Sequence, residues 1–482
     1  MPDRISGASD SSKSQARDLA SAGRKNRGLR FSGISLPLGF QSISMKLNPF
    51  FKALLGCLLF PTLLIGAEEI KMGIDTGSFA DGIFPQGQKA ELGLSLENRM
   101  KVDAKVKIDW QLETDEKQPM AAHAQEKVLR AGEEIRVTFE RKLSEPGFYW
   151  VTATCSWEDG KASSSMQVGY APQQLRSPLT AQPDLRAFWD HSLAELAKVE
   201  PRYKVVPQPT KADDPVQVYE VEMFSLGEVR VRGWYEVPKK PGPHPVLLRV
   251  PGYGQNMRPV GRFKNTRAVM PLDRQDMIVF SFNVRGHGNS QEDVKGKPGN
   301  YWIRGLDDKE GYFYQGAYMD CVRAVDFLFS RKEVDRKRIA VGGSSQGGGF
   351  SFASAALDQR VSLCVPDVPF LADWEKYFKT TNWPEMNKWI AAKESRTWKS
   401  TLRTLSYFDT MNLAPWIKCP VFMGVGLQDG ICPPATNFAP FNYAKGPKEY
   451  RVYPKAKHGV GAVHYKLAFD WTRRKFGLEN SP

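Results

Sequence analysis

One segment limits what this chain can fold into more than any other. Residues 338–348 read Arg-Ile-Ala-Val-Gly-Gly-Ser-Ser-Gln-Gly-Gly, and small residues follow from Gly349 to Leu357. An apolar strand therefore runs through Gly343-x-Ser345-x-Gly347 into a helix. On so tight a strand-to-helix turn a hydroxyl stands proud of the strand ends. Bulk at the flanking positions would clash, which is why Gly343 and Gly347 are glycines. The helix points its first N–H groups to where negative charge would develop. Ser345 is the candidate nucleophile. A serine hydroxyl is weak without a base, so the rest of the chain must supply one.

The surroundings of this segment set the fold class. Leu185, Phe188, Trp189, Leu193 and Leu196 recur at helical spacing, and β signals including Val229–Pro238 follow. Apolar strands at Pro245–Val250, Met277–Val284, Arg338–Gly342 and Pro420–Gly426 then alternate with helices. In one of these helices Ala317, Cys321, Ala324, Val325 and Leu328 share a face. Continuous apolar strands separated by amphipathic helices predict a mostly parallel sheet covered on both sides. With the serine turn, this is the α/β-hydrolase pattern, whose chain order is Ser, acid, His.

Both partners have places in that order. The strand Val421–Gly426 leads to Leu427-Gln428-Asp429, and the strand Tyr450–Tyr453 leads through Pro454 to His458. Asp429 is the candidate acid and His458 the candidate base. Asp367, after Leu363–Val365, is the rival acid. His464 is the rival base, and it reads better as a surface residue of the last helix. His123, His191, His244 and His287 precede the nucleophile. Two backbone N–H groups should form the oxyanion hole, one from Gln346 and one from Tyr253 in the turn Pro251-Gly252-Tyr253-Gly254.

The rest of the chain divides by pattern. Residues 1–44 are rich in Ser, Gly, Arg and Lys and should be disordered. Residues 45–67, from Met45-Lys46 through the apolar stretch 53–65 to Gly66-Ala67, have the parts of a signal peptide. The expectation is a secreted or periplasmic mature chain. The apolar run is too short for a stable membrane span, and Leu54-Leu55-Gly56-Cys57 comes too early in it to act as a lipobox. Residues 69–172 alternate like half-buried strands with turns at Pro146-Gly147 and Asp159-Gly160, which predicts a small all-β sandwich before the hydrolase domain of 183–482. No planar aromatic row is evident there, so a spacer is favoured over a glycan binder. Residues 370–412 carry Trp374, Tyr377, Phe378, Trp383, Trp389 and Trp398. They read either as ordinary helical packing or as a cap over the site.

Charge and cysteines narrow the partners. The net charge of +14 raises nucleic acid as a ligand. Part of it sits at Arg4, Lys13, Arg17, Arg24, Lys25, Arg27 and Arg30, and no basic run carries interleaved aromatics. The reading is a solvated basic surface and no nucleic-acid partner. The six cysteines form no C-x-x-C pair and no even framework, so neither a disulfide scaffold nor a zinc site is expected.

An ordered series of motifs resembles the acetyl xylan esterases and cephalosporin C deacetylases. It runs from Pro183 to Gly477. It includes Phe188-Trp189, Gly252-Tyr253-x-Gly254, Asp320-x-x-Arg323-Ala324-Val325-Asp326-Phe327-Leu328 and Gly343-Ser344-Ser345-Gln346-Gly347-Gly348. Most specific are Arg403-Thr404-Leu405-Ser406-Tyr407-Phe408-Asp409, Gly426-Leu427-Gln428-Asp429 and Cys432-Pro433-Pro434-x-Thr436. The resemblance places the family's triad on Ser345, Asp429 and His458 and its oxyanion donors on Tyr253 and Gln346. It implies an esterase without metal or cofactor that removes acetyl groups from carbohydrates or small alcohols. Family members often form hexamers, so it also implies a homo-oligomer, although the N-terminal sandwich stands outside the plain family pattern. Three positions depart from that pattern: His287 where the family has Gln, Gly459 where it has Glu, and Pro251 where it has His. His287 either adds a group near the site or simply ends a strand.

The leading expectation is hydrolysis of acetyl esters on carbohydrate through an acyl-enzyme. A serine peptidase of the prolyl-oligopeptidase type shares the fold and triad, but 69–172 is too short for its propeller. A carbohydrate-binding protein with an inert hydrolase domain conflicts with the complete set of catalytic residue types. Trp374, Phe378 and Trp383 are the candidates for narrowing an acyl pocket.

Overall fold

The protein is described here by a computed structural model covering residues 69–260, 276–294 and 299–478. The expected extension 1–44 and signal peptide 45–67 lie outside the described residues.

Eight strands come first: β1 (Ile70–Asp75), β2 (Ile83–Phe84), β3 (Lys89–Asn98), β4 (Ala104–Thr114), β5 (Pro119–Leu129), β6 (Glu134–Lys142), β7 (Gly147–Trp157) and β8 (Gly160–Tyr170). They form one sheet in the order β1-β3-β6 and another in the order β2-β8-β7-β4-β5. Strand β4 shows why. Its alternate residues Val106, Ile108, Trp110 and Leu112 are buried, while lysines and polar residues fill the other face. Trp110 stacks on Phe139 of β6 with ring centroids 5.3 Å apart, which joins the two sheets across one core. Burying each such side chain is worth about 1.5–3 kcal/mol.

Nine strands build the second sheet: β9 (Lys204–Pro207), β10 (Val216–Ser225), β11 (Val229–Pro238), β12 (His244–Arg249), β13 (Ile278–Asn283), β14 (Val334–Ser344), β15 (Leu363–Asp367), β16 (Val421–Gly426) and β17 (Lys448–Tyr453). Their order is β17-β16-β15-β14-β12-β13-β11-β10-β9. Strands β12 to β17 pair in parallel, and β9, β10 and β11 extend the sheet antiparallel. Every residue of β13 and β16 is buried, as strands covered on both faces must be. In β12, Val246 and Leu248 enter one core and Leu247 the opposite one. The helix Phe313–Ser330 belongs to the first core and the last helix, Gly461–Lys475, to the second.

This topology fixes where a site can be. The carboxyl ends of β12, β14, β16 and β17 lead into Pro251–Gly254, Ser345, Asp429 and the loop of His458. In open parallel sheets, ligands bind at that edge. Between β15 and β16 the chain inserts the helices Trp374–Thr380, Pro384–Ala391, Trp398–Ser406 and Thr410–Leu413.

Candidate active site

Ser345 caps the helix Gln346–Leu357 with φ 61° and ψ −120°, a conformation that L-residues rarely adopt. Such backbone strain costs about 1–3 kcal/mol and persists where surrounding structure enforces it. Here the enforcement is visible. The Ser345 N–H donates to the Asp367 carbonyl at 2.9 Å, and its own carbonyl accepts from Phe370 at 2.9 Å. A Cβ on Gly343 or on Gly347 would lie 2.6 Å from the Val250 carbonyl oxygen. Gly348 and Gly349 are equally confined, with Pro369 Cα at 2.8 Å and the Phe370 oxygen at 2.5 Å from the added carbon. The glycine run thus lets the serine turn sit against both neighbouring strand ends.

Asp429 is buried at 2% exposure. Its Oδ1 accepts the backbone N–H groups of Ile431 and Cys432 at 2.8 and 2.9 Å, and its Oδ2 lies 2.9 Å from His458 Nδ1. That contact puts the proton on Nδ1 and leaves Nε2 as the basic atom. Ser345 and His458 make no hydrogen bond in this structure, and Ser345 Oγ stands 4.0 Å from Cys432 Sγ. Such contacts commonly tighten only when substrate binds. Cys432 is the other nucleophile type present. Burial, reinforced by the Asp429 carboxylate, pushes its thiol well above the ordinary range, so it stays protonated.

Gln346 begins the helix behind the nucleophile, and its side chain is fixed at both ends. Tyr314 donates its hydroxyl to Oε1 at 2.7 Å, and Nε2 donates to His287 Nε2 at 3.0 Å. His287 Nδ1 in turn lies 3.1 Å from the Arg285 carbonyl, and Arg285 forks onto Asp320 at 2.8 Å. Burial pulls the His287 ring down to about 4, so near neutral pH it is an uncharged acceptor. His287 therefore does more than end a strand: it holds Gln346. Tyr253 is held from its ring: Tyr301 donates its backbone N–H to the Tyr253 hydroxyl at 3.1 Å, and the two rings meet edge-on at 5.2 Å. Gly252 keeps the turn close to β14, since a Cβ there would lie 3.3 Å from the Ser344 oxygen.

The two rivals for the acid and the base pair with each other. His464 is fully buried, with Nε2 2.6 Å from Asp367 Oδ1 and Nδ1 3.1 Å from the Tyr453 hydroxyl. The expectation of a surface residue was wrong, because His464 lies on the inner face of the last helix, while Gly461, Ala462 and Val463 before it are exposed. A Cβ on Gly424 of β16 would reach within 2.5 Å of that ring. This pair ties the last helix to β15 next to the serine turn.

Sequence reading did not single out Cys432, Gln428 or Asp409 for a role of its own. Asp409 ends the most specific motif, and it accepts the backbone N–H groups of Asp373, Trp374 and Met411 at 2.9, 3.1 and 2.9 Å. Burial, with Asp373 close by, pushes its carboxyl up to about 7. It anchors the inserted helices. Phe370, Trp374, Tyr377 and Trp383 cluster there, with Phe370 5.3 Å from both Trp374 and Tyr377. Among the described residues, Asp429, Cys432 and His458 are the ones that could share a metal ion, their ligand atoms lying within 4.8 Å of one another. Two of them, Asp429 and His458, are already joined by the 2.9 Å hydrogen bond.

A family model described as acetyl xylan esterase (AXE1) matches residues 172–475. The acetyl esterase Axe7A of Xylanibacter ruminicola is 28% identical over 344 residues, spanning 69% of this chain and 75% of that protein. The structure of the acetyl xylan esterase from Paenibacillus sp. R4 matches with a TM-score of 0.56 at 34% identity, over 63% of this chain and 98% of that one. Acetyl xylan esterase 1 from Thermoanaerobacterium sp. JW/SL YS485 gives 0.57 at 29% identity, over 64% of this chain and 98% of that one.

Proposed function

The chain belongs to the acetyl xylan esterase family, and from that premise we propose that it deacetylates xylan or xylo-oligosaccharides through a Ser345-His458-Asp429 triad. Its class, a carboxylic ester hydrolase acting on acetylated substrates, follows from the family. The mechanism is our reading. Ser345 Oγ attacks the acetyl carbonyl while His458 Nε2 takes the hydroxyl proton. Asp429 keeps His458 in the Nδ1–H tautomer and stabilises the imidazolium. The backbone N–H groups of Gln346 and Tyr253 receive the oxyanion. His458 returns the proton to the sugar oxygen as the C–O bond breaks, leaving acetyl-Ser345. Water, deprotonated by His458, opens that ester and releases acetate.

The observation that carries this reading is the 2.9 Å Asp429–His458 contact at the strand edge where the strained Ser345 turn also lies. Acetate release from acetylated xylan, acetylated xylo-oligosaccharides and a matched acetamide tests it. Ester turnover that vanishes in Ser345→Ala is expected; comparable amide turnover would favour a peptidase instead. We further propose export after cleavage behind Ala67, supported by the sequence of 45–67. N-terminal sequencing of the protein from its native host should begin near Glu68, and a mature chain retaining residues 1–44 would defeat it.

A further inference from the structure

The sandwich lies before the span matched by the family, yet it touches the loops that carry Asp429 and His458. Gln428 makes the contact. Its Oε1 accepts the backbone N–H of Gln167 in β8 at 2.8 Å, and its Nε2 donates to the Gln167 carbonyl at 3.0 Å. Nε2 also donates to the Pro454 carbonyl at 2.8 Å. The Gln428 backbone N–H donates to the Ala456 carbonyl at 2.8 Å. Pro454 and Ala456 belong to the loop that ends in His458. A side-chain amide offers two N–H donors and a carbonyl acceptor, and all three are engaged here. One side chain joins the acid loop, the base loop and a strand of the sandwich.

The joint is packed as well as bonded. A Cβ on Gly82, just before β2, would come within 2.5 Å of Leu427 Cδ2. Ile83 and Phe148 belong to the hydrolase core, not to the sandwich core, and Phe148 meets Phe438 at 5.7 Å. On the inserted helix Trp374–Thr380, Lys376 reaches Asp115 at 2.7 Å and Glu116 at 2.8 Å in the β4–β5 connection. The sandwich therefore grips both the acid–base loops and the inserted helices.

We propose that the β-sandwich is a working part of the esterase, with Gln428 the positioning residue through which β8 fixes Asp429 against His458. The inference rests on the triad reading of Ser345, His458 and Asp429. A triad tolerates little displacement: a misplacement of about 1 Å can cost about 100-fold in rate. A spacer would need no hydrogen bonds to the residue beside the acid.

The test compares the full chain with Gln428→Glu, Gln428→Met and Gly82→Ala, reading kcat, KM and melting temperature on 4-nitrophenyl acetate. Glutamate keeps the length but cannot donate to Gln167 and Pro454. Methionine keeps the bulk and loses all three bonds. Gly82→Ala pushes on Leu427 from the sandwich side. The expected result is a fall in kcat of about 10- to 100-fold for both Gln428 variants, with KM within about twofold and a smaller fall for Gly82→Ala. Folded variants with lowered melting temperature but unchanged kcat would overturn the proposal. Loss of folding in all three would also overturn it, by making the joint a condition of folding. An unmodified chain inactive on acetyl esters would defeat the esterase reading instead.

Discussion

Gln346 Nε2 and His287 Nε2 lie 3.0 Å apart, and only a neutral His287 can accept that hydrogen bond. Gln346, the proposed oxyanion donor, is thus braced from a residue 59 positions earlier in the chain. His287→Leu should leave the buried Gln346 amide without its acceptor, at a cost of about 1–3 kcal/mol. The Gln346 backbone should lose its fixed position. We expect kcat to fall at least about tenfold with KM little changed, and His287→Gln, which can still accept, to restore most of it. Steady-state kinetics on 4-nitrophenyl acetate decide this, and equal kcat in His287→Leu and the unmodified protein would contradict it.

The same residue should make the fold sensitive to acid. His287 titrates near 6.5 when unfolded and about 4 when folded, so between those values the unfolded chain binds more protons. Stability from this group is complete above about pH 6.5, is lost as pH falls, and is gone below about 4. The loss is about 3 kcal/mol at most. His287→Gln lacks this group, so its melting temperature should fall less between pH 6.5 and 4. Parallel melting curves for the two proteins would contradict the assignment.

Ser345 should be inactive as alanine by several orders of magnitude in kcat, because triad members act as a unit. Ser344→Ala should cost far less, since Ser344 precedes the turn as the last residue of β14. A sharper test uses the strain at φ 61°. Ser345→Gly should abolish activity yet raise unfolding free energy by about 1 kcal/mol, as glycine accepts that backbone freely. Chemical denaturation measures this, and a destabilised glycine variant would contradict the strain argument.

Acyl specificity should favour short chains. The Phe370 N–H is bonded to the Ser345 carbonyl, and Phe370 opens the aromatic cluster with Trp374, Tyr377 and Trp383. An added methylene that fits gains about 0.8 kcal/mol, whereas one that clashes loses productive orientation. On 4-nitrophenyl esters kcat/KM should peak at acetyl or propionyl and fall steeply by octanoyl. A profile rising with chain length would point to a long open pocket.

Local pattern carried much of this site. The glycines around Ser345 announced a turn that only glycine can flank, and the apolar runs of β14 and β16, with the short β17 after them, announced strand ends on one edge. Asp429 and His458 followed from position after those strands. What stayed hidden depends on contacts between distant segments. His464 looked like a surface residue because its partner Asp367 is 97 positions away. Gln428 looked like part of a motif because its partner is a backbone, which no side-chain pattern reveals. His287 stood out only as a departure, and its meaning came from the ring facing Gln346.

The distance between Gln167 and Gln428 along the chain, 261 residues, is also an interval of time. At about 5–20 residues per second the ribosome needs roughly 10–50 s to cover it. The sandwich has a core of its own and can close while the parallel strands are still being made. When β16 emerges, β8 and the serine turn have both already been synthesised. Asp429 and His458 are made after both β8 and Ser345, so on the triad reading hydrolytic chemistry is among the last properties the chain acquires.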